Sequence, residues 1–154
     1  MKIFFILIIN LIFFWIASEY KKNNLLKIEL YSSLINFSND LISQISFNKT
    51  NINEIYSKSK NSYAPVLNSI IDHYLSVSNM NNISFLNNEE SQELLDFLNS
   101  VGKYDIDGVN SNINFYKNKF DNKLNILKEN QKKKVEPIFK IIIILGLALS
   151  ILLI

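Results

Sequence analysis

His73 is the only histidine in the chain, so any imidazole base or Ser-His-Asp relay would have to use it. Its acidic neighbour Asp72 is adjacent in sequence, and adjacent residues on a helix project to different sides, so the two cannot form a relay. No serine sits in a nucleophile-elbow sequence, no glycine-rich phosphate loop exists, and there is no cysteine for disulfide, thiolate or zinc chemistry. One acidic cluster, Glu89, Glu90, Glu93 and Asp96, could gather hard cations weakly. A helix start made acidic to suit the helix dipole explains the same residues without a metal. The reading is therefore no catalytic residue, no metal and no cofactor, hence not an enzyme. What the cluster does offer is a single-sign surface, the most partner-like feature of the chain. The competing expectation is that it pairs with the lysine-rich last helix of its own bundle.

The second chemistry-bearing run is Lys132-Lys133-Lys134, which can attract anionic lipid headgroups at about 1 kcal/mol per lysine. The same lysines serve as a topology signal. All 16 basic residues are lysine, so no bidentate guanidinium fork is available for phosphate or carboxylate. Nucleic acid is not an expected partner, because the lysines are balanced by acids elsewhere and aromatics do not interleave with them. Three Asn-x-Ser/Thr sequons, at Asn36, Asn48 and Asn82, follow from an asparagine-rich composition.

These residues must be positioned by helices. Leu26, Leu30, Leu34, Phe37, Leu41 and Ile45 recur at steps of three and four, one stripe of a helix that no breaker separates from the apolar segment before it. Asn51 with Glu54 resembles a capping box for a short helix carrying Ile52, Ile55 and Tyr56. Pro65 suits a first helical turn, followed by Val66, Leu67, Ile70, Ile71, Tyr74 and Leu75 as a buried face. Residues 78–82 read as a loop. Asn87 or Asn88 should cap the acidic helix, lined by Leu94, Leu95, Phe97, Leu98 and Val101 and ended by Gly102. Val109, Ile113, Tyr116, Phe120, Leu124 and Leu127 mark a long final helix. No strand pattern competes, so the expected class is all-α, a helical bundle.

Both ends are apolar. A bilayer-spanning helix needs about 20 apolar residues, with roughly 17 as the lower limit, and residues 3–17 and 138–154 approach that length. The expected division is a transmembrane anchor at 1–18, a cytoplasmic bundle at 19–137 and a C-terminal transmembrane helix at 138–154. A cleaved secretory leader is the rival for the first segment, which would leave a secreted or surface protein held by its tail. The exit Trp15-Ile16-Ala17-Ser18-Glu19 has no small residue two before Ala17, which favours a retained anchor. Lys21, Lys22 and Lys27 follow the first segment and Lys128, Lys132, Lys133 and Lys134 precede the second, against Lys2 alone on the far side. That asymmetry places the bundle on the cytoplasmic face and makes the two segments the legs of a hairpin. Asn10, mid-segment, needs a partner there. Gly146 and Ser150 form a small-xxx-small pair on the other leg, so Asn10 is expected to pack against the Gly146 face.

The whole layout resembles the stage III sporulation protein AB family of endospore-forming bacteria, over nearly the full length. The resemblance rests on an anchor running into a long helix over residues 14–47, and on the acidic helix Glu90-Ser91-Gln92-Glu93-Leu94-Leu95-Asp96-Phe97-Leu98 with its exit Val101-Gly102-Lys103-Tyr104-Asp105. It rests also on the end, from Lys140 through Leu145-Gly146 to Ile151-Leu152-Leu153-Ile154. Gly102 and Asp105 match the family's Gly and the Asp three residues on. The glutamine that usually follows is missing from Ile106-Asp107-Gly108-Val109. The resemblance implies a non-enzymatic membrane component of the mother-cell to forespore channel complex. By likeness to the cytoplasmic domains of secretion and pilus platform proteins, it implies contact with other stage III sporulation channel proteins and a cytoplasmic secretion-type ATPase. It also implies a location in the outer forespore membrane on the mother-cell side. No functional residue carries over, because the family has no catalytic motif.

Overall fold

A computed structural model describes residues 2–48, 63–77, 83–101 and 106–152. The expected Asn51–Glu54 capping box and its short helix, the 78–82 loop, the Gly102 stop with Asp105, and the sequons at Asn48 and Asn82 fall wholly or partly outside them. Among the described residues all regular structure is helical, which is the all-α class expected. The elements are α1 (Lys2–Asn48), α2 (Pro65–Val77), α3 (Asn88–Val101), α4 (Ile106–Asn130), a π-helical turn (Gln131–Val135) and α5 (Glu136–Leu152). With nothing in residues 18–47 to break it, α1 continues unbroken out of the apolar segment for 47 residues, on the order of 70 Å at 1.5 Å per residue.

The chain forms two compact units, Met1–Leu26 with Ile126–Ile154, and Lys27–Asn125. The second unit is a helical bundle. Its core takes Leu30, Leu34, Phe37 and Leu41 from α1, Leu67, Ile70 and Ile71 from α2, Leu94, Phe97, Leu98 and Val101 from α3, and Ile113, Phe120 and Leu124 from α4. These are the stripes the three-and-four spacing marks. Phe97 is the hub, with ring centroids of Phe120, Tyr116 and Phe37 at 5.1, 5.5 and 6.3 Å. The pairs with Phe120 and Phe37 are edge-to-face, and such pairs add about 0.5–1.5 kcal/mol each beyond area burial. Leu75, expected on the buried face of α2, is instead 45% exposed. It follows Tyr74, whose hydroxyl donates to Asn99 Oδ1 at 2.7 Å and so fixes which edge of α2 meets α3.

The start of α2 is tied to α1. Tyr63 donates to Asp40 at 2.7 Å, and the Ala64 amide donates to Ser33 Oγ at 3.2 Å. Pro65 then enters where its missing N–H costs nothing, and Leu67 and Asn68 return amide bonds to the Ala64 carbonyl.

The first unit pairs the N-terminal part of α1 with the π turn and α5. By length and composition both helices can cross a membrane, and their apolar windows are only 6% and 17% buried, where a core helix of a soluble protein would be mostly buried. The compact unit reaches past the apolar segments themselves, to Leu26 on one strand of the chain and back to Ile126 on the other, because polar contacts continue the pairing.

Candidate functional site

Three sets of residues carry the candidate chemistry, and each is built differently. In the first unit, Asn10 Nδ2 donates to Ser150 Oγ at 2.6 Å and to the Ile6 carbonyl at 2.9 Å, and Ser150 Oγ donates on to the Gly146 carbonyl at 2.9 Å. This arrangement satisfies both amide protons of Asn10 and the serine hydroxyl inside an apolar pair of helices, where an unmatched polar group is costly. Gly146 faces Phe13: a Cβ at Gly146 would lie 2.9 Å from Phe13 Cβ and 3.1 Å from its Cγ. The expected neighbours therefore do meet, with one refinement. Asn10 reaches Ser150, one turn further along, while Phe13 fills the space that Gly146 leaves open. Ala17, fully buried, continues the same stripe.

Further along, Lys21 Nζ lies 5.1 Å from the centroid of the Phe139 ring, and Asn24 Nδ2 donates to the buried Gln131 Oε1 at 2.6 Å. Asn10 with Ser150, Phe13 with Gly146, Lys21 with Phe139 and Asn24 with Gln131 run in opposite senses along the chain, which defines an antiparallel hairpin. Sequence reasoning missed the Asn24–Gln131 bond and the π turn that carries Gln131. The signal for the turn is Pro137. It cannot donate to the carbonyl of Lys133, so the regular ladder must yield there. The helix yields by one residue, and the Glu136 amide bonds the Gln131 carbonyl.

The second set is the acidic helix. Asn87 is its cap: the Glu90 amide donates to Asn87 Oδ1 at 2.7 Å and the Asn87 amide to Glu90 Oε2 at 2.9 Å, a reciprocal capping box. Glu90 Oε2 also accepts from Lys27 of α1 at 2.6 Å. Glu93 is buried, paired with Lys119 Nζ at 3.0 Å and bonded by Lys123, both from α4. Lys123 in turn lies 5.6 Å above the Tyr31 ring. Burial, then the carboxylates of Glu90 and Glu93, push the Tyr31 hydroxyl pKa well above its ordinary range. The hydrogen bond to Glu93 raises that of Lys119.

Glu90 and Glu93 thus do not stand on a free acidic face. They sit on the stripe that continues through Leu94, Phe97 and Val101, and their charges are matched inside the bundle. Glu89 and Asp96 are exposed, with Asp96 accepting from Gln92 at 2.8 Å. His73 is exposed on α2. Among the described residues no group of acids and histidine could hold a metal.

The third set, Lys132, Lys133 and Lys134, is exposed on the π turn, and Lys133 pairs with Glu129 at 2.5 Å.

The sequence model of the stage III sporulation protein AB family matches residues 74–154, more than half of the chain. The chain belongs to the stage III sporulation protein AB family. The matched stretch begins in α2 and takes in the acidic helix, its α4 lysine partners, the π turn and the second apolar leg. It is narrower than the full-length resemblance, since all of α1 lies outside it. No curated protein and no solved structure matches the chain. Membership makes this a stage III sporulation protein whose two apolar helices can associate with a membrane.

Proposed function

We propose that this chain is a non-enzymatic membrane component of the channel complex between mother cell and forespore, and that it acts as a platform for a cytoplasmic secretion-type ATPase. The observation that carries the reading is the paired hairpin of Asn10, Phe13, Gly146 and Ser150 in a chain of this family. Both apolar legs then cross the outer forespore membrane from the mother-cell side and hold the helical bundle in the cytoplasm. One feature supports a binding role over a catalytic one: Glu90 and Glu93 are spent on Lys27, Lys119 and Lys123 inside the bundle.

The test is a crosslinking pull-down of the full chain from sporulating cells. The reading expects other stage III channel proteins and the ATPase among the captured partners, and a reporter fused at Ile154 on the far side of the membrane. A cytoplasmic Ile154 reporter, or a mature chain starting after Ala17, would overturn the hairpin and revive the leader-and-tail arrangement. His73→Ala should leave sporulation efficiency unchanged; a loss with the fold intact would contradict the non-enzymatic reading. If the α3 surface contacts the ATPase, reversing exposed Glu89 and Asp96 to lysine should weaken co-purification.

A further inference from the structure

Charge is divided unequally between the two compact units. Met1–Leu26 with Ile126–Ile154 holds eight lysines against Glu19, Glu129 and Glu136, a net +5, while Lys27–Asn125 holds eight lysines against eleven acids, a net −3. Within the first unit the excess is concentrated at one end of the hairpin. Lys21 lies across the Phe139 ring, and this contact puts the basic residues of α1 at the level where the apolar part of α5 begins. Lys22, Lys132, Lys133, Lys134 and Lys140 are exposed around it. The acids nearby are weak competitors: Glu19 stands 3.9 Å from Lys22, Glu129 takes Lys133 at 2.5 Å, and Glu136 is exposed.

The π turn before Pro137 shapes this collar. Gln131 and Val135 are buried, which anchors the turn at both ends and leaves the three consecutive lysines between them facing outward. Ammonium groups on long stems at the edge of an apolar helix pair reach the headgroup layer while their methylenes stay along the apolar surface. Without arginine the collar is built of point charges, suited to a layer of phosphates rather than to one forked contact.

We propose that this collar is a binding surface for anionic phospholipid headgroups, so that the hairpin gathers phosphatidylglycerol-type lipids around its basic end. The inference rests on the membrane-spanning reading above.

The experiment uses the full chain reconstituted in phosphatidylcholine bilayers with trace spin-labelled phosphatidylglycerol or spin-labelled phosphatidylcholine. The readout is the motionally restricted fraction of each. The expected result is a roughly fivefold preference for phosphatidylglycerol, the ratio that one lysine near an anionic surface supplies. It should fall by half or more in Lys132→Asn/Lys133→Asn/Lys134→Asn, and likewise in the independent variant Lys21→Gln/Lys22→Gln. Salt at about 1 M should abolish it, since screening then acts over about 3 Å. Equal restriction of the two lipids, or a preference untouched in both variants, overturns the headgroup surface and leaves the hairpin standing. Restriction of neither lipid overturns the membrane reading as well.

Discussion

Glu93 distinguishes a carboxylate that holds the bundle together from one that waits for a partner. Its side chain is 6% exposed between Lys119 and Lys123. At an effective dielectric near 20, a unit charge pair about 3 Å apart attracts by about 5 kcal/mol, and desolvating the carboxylate cancels much of that. Glu93→Gln keeps the shape and loses the charge on the hydrogen bond from Lys123 and the ion pair with Lys119, an expected loss of about 1.5–3 kcal/mol. Glu93→Lys places a third ammonium in the same buried position and should cost about 3–5 kcal/mol. For a unit of this size, 1 kcal/mol moves Tm by about 4–8 °C. The glutamine variant should therefore melt about 6–24 °C below the parent, and the lysine variant further below. Circular dichroism melting of the full chain in detergent micelles reads both. If Glu93→Lys melts within about 2 °C of the parent, Glu93 stands in solvent and the internal pairing of the acidic helix is wrong.

Three further outcomes follow from separate contacts. Gly146→Val must move Phe13 Cβ from 2.9 Å to ordinary contact, and that atom is fixed to the α1 backbone. The legs must part, and the hairpin should lose about 1–3 kcal/mol, read as a lower unfolding temperature of the micelle-bound chain. Asn87→Ala removes half of the capping box and should cost about 1 kcal/mol in urea unfolding monitored by circular dichroism, while Asn88→Ala should cost less. Stability should fall as pH rises above about 10. Tyr31 and Lys119 both have folded pKa values above their ordinary 10.0 and 10.5, so the unfolded chain releases those protons first, and the contribution is complete below that range. Tyr31→Phe should flatten the fall above about pH 10 in a melting series.

The fold was largely legible because apolar spacing reports helix faces directly. Leu30, Leu34, Phe37 and Leu41, then Leu94, Phe97, Leu98 and Val101, are buried where their periodicity puts them. Asn10, Gly146 and Ser150 were legible for a different reason: in an apolar segment a polar or small residue needs a neighbour to explain it. The acidic helix was harder. Counting charge along the sequence merges Glu89 and Asp96, which face out, with Glu90 and Glu93, which share the phase of the core stripe. The phase was available in the sequence, and pairing with the lysine-rich last helix was one of its two expectations, met by Lys119 and Lys123; what was not available is that α1 brings Lys27 to Glu90. Leu75 and the Asn24–Gln131 bond depend on how whole helices seat against each other, which no local pattern carries. Pro137 announces a disturbance in the helix, and only the structure reveals that the π turn Gln131–Val135 absorbs it.

The central claim is that the two apolar ends form one retained hairpin, and the absence of native cysteine makes it directly testable. In Phe13→Cys/Gly146→Cys the two Cβ positions start 2.9 Å apart, so a parting of the legs by about 0.6 Å brings them into the disulfide range of about 3.5–4.5 Å. Mild oxidation of membranes carrying the full chain should give an intramolecular disulfide, seen as a faster monomer band that reductant reverses, while Phe14→Cys/Gly146→Cys, with Phe14 exposed, should not. Only intermolecular dimers, no crosslink at all, or a monomer lacking residue 13 would contradict the account.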